Sequence, residues 1–395
     1  MKSIKMVDIR RQDRRVRRRI RKSVKRIVKT SDFINGKEVE SFRSAMQQYM
    51  GVEHVIPCAN GTDALQIALM ALDLEPGDEV IVPAFTFVSA AEAVKMLGLK
   101  VVFVDIDCNT FNIDATAIES AITDRTRAII PVHLFGQCAD MTLIMDIAAR
   151  YNLFVIEDAC QALGADYILR EGTGQLKMGP FTYDYRCVKE GIRKKAGTVG
   201  HIGCTSFFPT KNLGCYGDGG AIFTNSNELA DKLRKIARHG AGKRYVHSLT
   251  GVNSRLDTVQ AAVLNAKLPY LDGNNRKRER IAGIYDRNFV SCMQLKVPGR
   301  APHSSHIFHQ YCLLCRSERE RNALRFHLES LGIPSMVYYP APLHLQKAFS
   351  DLGYKEGDFP VAESTAQRIL AIPVQPTLTR KQVCYIAEGI LGFFD

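Results

Sequence analysis

Four short segments carry residue types able to do chemistry. Asn60-Gly61-Thr62-Asp63 opens an apolar-rich helical pattern. Free amides at a helix start, with a threonine hydroxyl beside them, form an anion site suited to a phosphate; the same residues also make an ordinary helix cap. Val155-Ile156-Glu157-Asp158-Ala159-Cys160-Gln161 ends a short apolar run in carboxylates. At the end of a buried strand Asp158 can hold a buried cation such as a protonated ring nitrogen; capping of the next helix accounts for it equally well. Ser206-Phe207-Phe208-Pro209-Thr210-Lys211-Asn212-Leu213-Gly214 sets Lys211 among apolar and small residues. Desolvation lowers a lysine's pKa, and a Schiff base needs the neutral amine; taken alone, such a lysine also reads as solvent-exposed. Ser206 is near enough in sequence to share the phosphate. Gly217-Asp218-Gly219-Gly220 is a tight turn into a strand, with the wrong glycine spacing for a phosphate-cradling P-loop. Together a phosphate cup, a carboxylate for a pyridine nitrogen and a Schiff-base lysine point to pyridoxal 5′-phosphate. There the cofactor is the electron sink and the protein holds and tunes it.

Positioning these groups requires a regular scaffold, and the sequence alternates helix and strand from Asn60 onward. Helical patterns at 61–72, 89–97, 113–122 and 141–150 separate strand patterns at 79–83, 101–105, 128–132 and 153–156. Such alternation predicts βαβ units and a mostly parallel sheet covered on both faces. Ligands in these sheets bind at the carboxyl ends of strands, where the candidate residues lie. Residues 168–197, rich in Gly, Lys and Arg and carrying Tyr183 and Tyr185, read as a surface insertion. A helical stretch over 256–271 leads into the polar run 274–280, and 304–315 and 333–339 read as strands of a second, smaller α/β domain. The expected organisation is a basic amphipathic helix (1–29), a large domain (30–255) and a small C-terminal domain (256–395).

The charge is concentrated. Residues 1–29 hold 14 basic and 2 acidic residues, and the remaining 366 carry 39 of each sign, so the net +12 belongs to one segment. Ile9, Val16, Ile20, Val24, Ile27 and Val28 form one face of a single helix over 8–29, with Arg and Lys filling the rest. That helix either packs on the body with a solvated basic face or attracts anions. The start lacks the apolar region of a secretory signal; its resemblance to a mitochondrial transit peptide is set against its unbroken run into the fold. No apolar run is long enough to span a membrane. Eleven scattered cysteines suit a reducing compartment, the cytoplasm. Cys312-Leu313-Leu314-Cys315 is a lone CxxC in an apolar run and reads as ordinary strand; no metal site is expected.

The ordered motifs NGTDAL (60–65), PAFTF (83–87), PVHLFGQ (131–137), EDACQ (157–161), SFFPTKNLG (206–214), GDGGAIFTN (217–225), RHG (238–240) and GVNSRLD (251–257) resemble the DegT-type (DegT/DnrJ/StrS) nucleotide-sugar aminotransferases, from about Lys5 to Asp395. The resemblance implies aspartate-aminotransferase fold type I, with a large pyridoxal phosphate-binding domain. Within the family it is closest to enzymes that aminate C3 of UDP-2-acetamido-2-deoxy-3-oxo-glucuronate, in amino-sugar synthesis for surface polysaccharide such as lipopolysaccharide O-antigen. It implies that Lys211 carries the cofactor and shuttles the proton, and that Asp158 pairs with the pyridinium. Gln161 would lie near the phenolic oxygen, and Phe87 would stack on the ring. The amides of Gly61, Thr62 and Asp63, with the hydroxyls of Thr62 and Ser206, would hold the phosphate. Asn253 would reach that phosphate from a neighbouring subunit, making a homodimer. Arg255, Tyr338 and Tyr339 would face the substrate. The implied partners are L-glutamate, as amino donor in a ping-pong reaction, and a UDP- or dTDP-linked keto-sugar.

Three other readings compete. One is an aminotransferase for a dTDP-linked 3- or 4-keto sugar. Another is a sugar dehydratase of the same fold, disfavoured because those relatives have His where this chain has Lys211. The third is a regulator using its basic helix on nucleic acid, disfavoured by the intact lysine and carboxylate and by the lack of a DNA-reading module.

Overall fold

Alternating apolar residues fix the two faces of the central sheet. Val80 and Val82 pack on one side and Ile81 on the other; Ala128 and Ile156 lie with the first set, Ile129 and Val155 with the second. Helices Gly61–Met70 and Ser89–Met96 cover one face, and Met141–Tyr151 covers part of the other. Strands buried on both faces belong in a parallel sheet. The computed structural model describes residues 3–170, 172–178, 181–187, 191–243 and 245–395, the side chains of 172–187 excepted.

The sheet has seven strands: β1 (His54–Cys58), β2 (Glu79–Pro83), β3 (Lys100–Val104), β4 (Thr126–Ile129), β5 (Phe154–Asp158), β6 (Ile202–Ser206) and β7 (Gly220–Thr224). Their order is β1-β7-β6-β5-β4-β2-β3. Strands β6, β5, β4, β2 and β3 are parallel neighbours, and β7 runs antiparallel to both β6 and β1. The carboxyl ends of β1, β2, β5 and β6 therefore share one edge. The segments that follow them begin at Ala59, Ala84, Ala159 and Phe207. This is the geometry in which open α/β sheets bind ligands.

A smaller unit forms around β8 (Tyr311–Leu314) and β9 (Ile369–Ile372), an antiparallel pair. Helices Glu318–Ser330 and Arg380–Leu391 share its core with Ile281, Ala282, Tyr285 and Phe289. The expected strand at 333–339 is absent; only Met336 makes an isolated bridge, to Ala371. Its apolar residues pack beside β9, which the sequence reading missed. The polar run 274–280 lies inside a 19-residue helix, Leu271–Phe289, where Asn275 and Arg278 turn inward. The helix read over 256–271 is Thr258–Lys267 followed by a 3₁₀ turn; Ala261, Val263 and Leu264 pack with Phe42, Met46 and Phe207 of the large unit. The segment 113–122 makes two short 3₁₀ turns, because the Asp114 side chain accepts the Thr116 amide and starts a turn there.

The N-terminal segment is not one helix. Ile9–Gln12 and Arg17–Thr30 are separated by a 3₁₀ turn at Asp13–Arg15. The break lets Asp13, 3% exposed, reach Lys267 Nζ at 2.9 Å. Val16, Ile20 and Ile27 are buried as expected, whereas Val28 is exposed. The insertion 168–197 lies partly outside the described residues, including the side chains of Tyr183 and Tyr185. Its described backbone forms two antiparallel ribbons, Asp166–Ile168 with Arg193–Lys195 and Gly172–Met178 with Phe181–Cys187. Cys312 and Cys315 are buried free thiols in and just after β8, and no group of metal-ligating side chains occurs among the described residues. No helix among them is long and apolar enough to cross a membrane.

The sheet's most polar interior group is Glu157. Its carboxylate accepts from His133 Nε2 (2.7 Å) and from the amides of Gly197 (2.9 Å), Val199 (2.6 Å) and Gly200 (2.5 Å). His133 Nδ1 accepts the Ala139 amide at 3.2 Å, which fixes the ring with its proton on Nε2. Removing the carboxylate leaves buried donors unpaired. Glu157→Ala is expected to cost about 3 kcal/mol or more, read as a lower denaturation midpoint; an unchanged midpoint contradicts this.

Two other histidines are buried. Burial pushes His201 down to about 4 and, aided by Arg300, His306 to about 3. The folded protein refuses protons there that the unfolded chain accepts below its ordinary value of 6.5. Stability is therefore full above about pH 6.5 and falls toward pH 4, by up to about 1.4 kcal/mol per pH unit for each ring. Denaturant titrations across that range measure the slope, and His201→Asn should flatten it.

Candidate active site

The anion end of the site is the start of helix Gly61–Met70. Asn60 is its cap, with Oδ1 accepting the Asp63 amide at 2.8 Å. The Asp63 amide, expected at a phosphate, is thereby already engaged; its carboxylate accepts from Ser254 Oγ at 2.6 Å. The amides of Gly61 and Thr62 remain at the head of the helix, where no turn precedes them to accept their hydrogens. A side chain at position 61 would have its Cβ 2.8 Å from Ser206 Cβ and 2.9 Å from Cys160 Sγ. Helix start, Ser206 and the segment after Asp158 thus meet at one point. Gly220 is required on the same grounds, since a Cβ there would lie 2.4 Å from the Asn60 carbonyl oxygen. This accounts for the Gly-Asp-Gly-Gly turn beside the site.

Asp158 ends β5 with its side chain buried, and its Oδ1 accepts the Cys160 amide at 3.0 Å. Its backbone continues the sheet, accepting His133 N–H and donating to the Pro131 carbonyl, both at 2.9 Å. Gln161 is held at both ends: Oε1 accepts the Phe135 amide at 3.0 Å, and Nε2 donates to Tyr339 Oη at 3.1 Å. Burial, with Asp158 nearby, pushes the Tyr339 phenol up, against the effect of Gln161. Phe85 and Phe87 both contact the Tyr339 ring, at 5.9 and 6.2 Å between centroids. Phe85 is buried, but Phe87 is 53% exposed. An aromatic face left open between Tyr339 and solvent suits a planar ligand. Tyr338 stands beside Tyr339, ring centroids 6.0 Å apart.

Lys211 is half-buried on the loop that follows β6. Its amide donates to the Phe208 carbonyl at 2.8 Å, closing a turn, and its charge is felt by Cys160 and His309. The Cys160 thiol is pushed up by burial and by Asp158, and Lys211 opposes this. Asp158 and Lys211 thus act on one thiol. His309 is pushed well down by burial and by the positive charges of Lys211 and Arg278. Its Nδ1 bonds to Asn212 Oδ1 at 3.0 Å; Asn212 Nδ2 donates to Asn275 Oδ1 at 2.7 Å, and Asn275 Nδ2 to the Leu163 carbonyl at 3.3 Å. Arg278 Nη1 bonds the carbonyls of Phe308 and His309, both at 3.3 Å. This network clamps the residue after Lys211.

The set fits pyridoxal phosphate. It offers free amides and hydroxyls for the phosphate, a buried carboxylate for a ring nitrogen, a lysine within reach and an open aromatic face. Asn253 is not part of the convergence within this chain: it is exposed, with its backbone bridged to Arg238. Arg255 is half-buried on the same segment. Ser254 between them ties the segment to the helix start, since its hydroxyl also accepts the Ala59 amide at 3.0 Å. Glu157, Ser254, His309 and the asparagine pair were missed from the sequence. Only Glu157 had a legible sign, a carboxylate inside an apolar strand.

A profile of the DegT/DnrJ/EryC1/StrS aminotransferase family matches residues 14–391. The chain is 42% identical over 394 residues to a pleiotropic regulatory protein of Geobacillus stearothermophilus, covering 99% of each chain. It is 40% identical over 387 residues to the UDP-2-acetamido-2-deoxy-3-oxo-D-glucuronate aminotransferase of Pseudomonas aeruginosa, covering 98% of this chain and 99% of that one. It is 41% identical over 388 residues to the UDP-N-acetyl-3-dehydro-α-D-glucosamine 3-aminotransferase of Acidithiobacillus ferrooxidans, covering 98% and 97%. Among solved structures, NtdA from Bacillus subtilis with bound cofactor PMP superposes with a TM-score of 0.85 at 30% identity, over 99% of this chain and 85% of that chain.

The crowding at Gly61 gives a direct check. Gly61→Val should weaken cofactor binding by at least about tenfold, since the group held at a helix N-terminus loses its approach to the amides. Absorbance titration of the apo-protein with pyridoxal phosphate measures it; native affinity in the variant would place the phosphate elsewhere.

Proposed function

The chain belongs to the DegT/DnrJ/EryC1/StrS aminotransferase family, and from that footing we propose that it moves an amino group from L-glutamate to C3 of a UDP-linked 3-oxo sugar. It is a sugar-nucleotide aminotransferase of α/β fold type I, and its cofactor is pyridoxal 5′-phosphate. The favoured acceptor is UDP-2-acetamido-2-deoxy-3-oxo-glucuronate, in amino-sugar synthesis for surface polysaccharide. The observation supporting it is that two relatives at 40% and 41% identity, over nearly the whole chain, are both named for amino transfer to a UDP-linked 3-oxo or 3-dehydro sugar.

When bound, the cofactor takes the electron pair of a broken C–H bond into its ring. The chain's residues do the rest in our reading. Lys211 Nζ holds the cofactor between turnovers and is displaced by the amino donor. The Lys211 amine, once freed, would take the proton from the glutamate α-carbon and, with the sugar bound, would supply one to C3. Asp158 would hold a proton on the ring nitrogen and so offset negative charge on the bound cofactor. Uncharged His309 holds the loop through Asn212 without adding a second positive charge beside the amine. The amides of Gly61 and Thr62, with the hydroxyls of Thr62 and Ser206, grip the phosphate. Phe87 would cover the ring and Gln161 would lie beside its phenolic oxygen. Tyr338 and Tyr339 line the sugar, and Arg255 faces the substrate carboxylate.

Asn253 completes the phosphate site of a second subunit in a homodimer. Exposed Phe33 and Ile34 lie beside this segment, Ile34 bridging to Asp257. Large apolar side chains gathered on a surface support an interface there.

Lys211→Ala should abolish turnover, a loss of at least about 10²–10⁴-fold for a positioned proton carrier, and remove the visible absorbance of the lysine-linked cofactor. A variant with normal colour and rate would overturn the assignment. Loaded protein given L-glutamate should release 2-oxoglutarate. A panel of UDP- and dTDP-linked 3- and 4-keto sugars then identifies the acceptor; amination of dTDP-linked sugars alone would replace the UDP reading.

A further inference from the structure

Away from the cofactor groups, one cleft gathers more positive charge than its carboxylates offset. The N-terminal turn and the first turns of helix Leu271–Phe289 face each other across about 620 Å³ of open space. Arg11, Arg14 and Arg15 line one wall, and Arg276, Lys277 and Arg280 the other. None of these six side chains has an ion-pair partner among the described residues. Of the two carboxylates of the cleft, Asp13 pairs with Lys267 at 2.9 Å, and Asp272, whose Oδ1 accepts from Tyr49 Oη at 2.6 Å, keeps its charge, so the six cations outnumber it.

Like charges held together in a concave surface repel one another and focus a positive potential there. A compact polyanion relieves that repulsion. The volume lies within the range of small-molecule pockets, about 300–1,000 Å³, which favours a small ligand over a nucleic acid. Arg18, Arg19, Arg21, Lys22 and Lys25 of the N-terminal helix are exposed outside the cleft. We propose that this cleft binds an oligophosphate, the di- or triphosphate of a nucleotide or its inorganic equivalent.

The cleft also touches the loop that carries Lys211. Asn212 and Leu213 line it, and Asn212 is the residue clamped by His309 and Asn275. Lys267, paired with Asp13, also donates to the Gly214 carbonyl at 2.7 Å. An anion drawing in Arg14 and Arg15 acts on both ends of that loop.

The test is calorimetric titration of the cofactor-loaded full chain with inorganic tripolyphosphate, with UDP and uridine as further probes. One binding event per chain is expected for tripolyphosphate and UDP and none for uridine. Affinity should fall with salt, as the screening length drops from about 10 Å at 0.1 M to about 3 Å at 1 M. Arg14→Ala/Arg276→Ala/Arg280→Ala should weaken binding at least about tenfold, whereas Lys22→Ala/Lys25→Ala should leave it unchanged. No tripolyphosphate binding by the native protein, equal binding by the cleft variant, or equal loss in the control variant overturns the proposal. KM for the sugar nucleotide separates the sources. A rise in step with the tripolyphosphate Kd identifies the substrate's own diphosphate, and an unchanged KM a separate ligand. Because the tripolyphosphate titration uses neither nucleotide, sugar nor turnover, its result stands apart from the substrate assignment.

Discussion

The site exists because four strands point the same way. Strands β1, β2, β5 and β6 release the segments beginning at Ala59, Ala84, Ala159 and Phe207 on one edge, so residues up to 150 positions apart converge. The convergence is tight: at Gly61 there is no room for a methyl group between the helix start, Ser206 and Cys160. Packing this close leaves interior polar groups with few partners, and the fold satisfies them in place. Glu157 takes four donors, and Gln161 is bonded at both ends. Glu157 faces away from its neighbour Asp158, as alternation along a strand dictates. One carboxylate thereby fastens the segment 197–200 while the next is free to meet a ligand.

Much of this was legible in the sequence. Strand–helix alternation foretold the parallel sheet, and the rule that ligands bind at strand ends directed attention to Asp158 and Lys211. Gly61 and Ser206 were legible as a pair only through the chemistry they would share. What escaped had physical reasons. The helix Leu271–Phe289 was hidden by its polar middle, because Asn275 and Arg278 are buried for hydrogen bonding rather than for apolar contact. The single N-terminal helix was a fair reading of periodicity, but a long-range ion pair at Asp13 outweighed it. His309 lies far from Lys211 in sequence and reaches its neighbour Asn212 only through the folding of the smaller unit, so no local spacing announces it. The Asp63 amide was expected at a phosphate, and capping by Asn60 engages it instead.

The two units are joined through polar contacts as well as by the chain. Asn275 and Arg278, on the helix between them, bond to Leu163 and Asn212 of the large unit and to the carbonyls of Phe308 and His309. A buried guanidinium held by carbonyls alone is costly; burial pushes Arg278 down to about 10. Its geometry fixes the strand-side residue His309 against the lysine loop. Structure distant from the cofactor groups therefore determines how rigidly the amine is presented.

The ion pair of Asp13 with Lys267 gives the basic segment a second character. Burial lowers the Lys267 pKa, and Asp13 opposes that. The ammonium also sits over the Tyr216 ring, 4.7 Å from its centroid. A chain shortened past residue 16 would shed cationic surface and would also strand this ammonium without its counter-ion. The leading residues thus serve as a buttress under the catalytic loop, and a truncation that passes Asp13 takes away that support together with the charge.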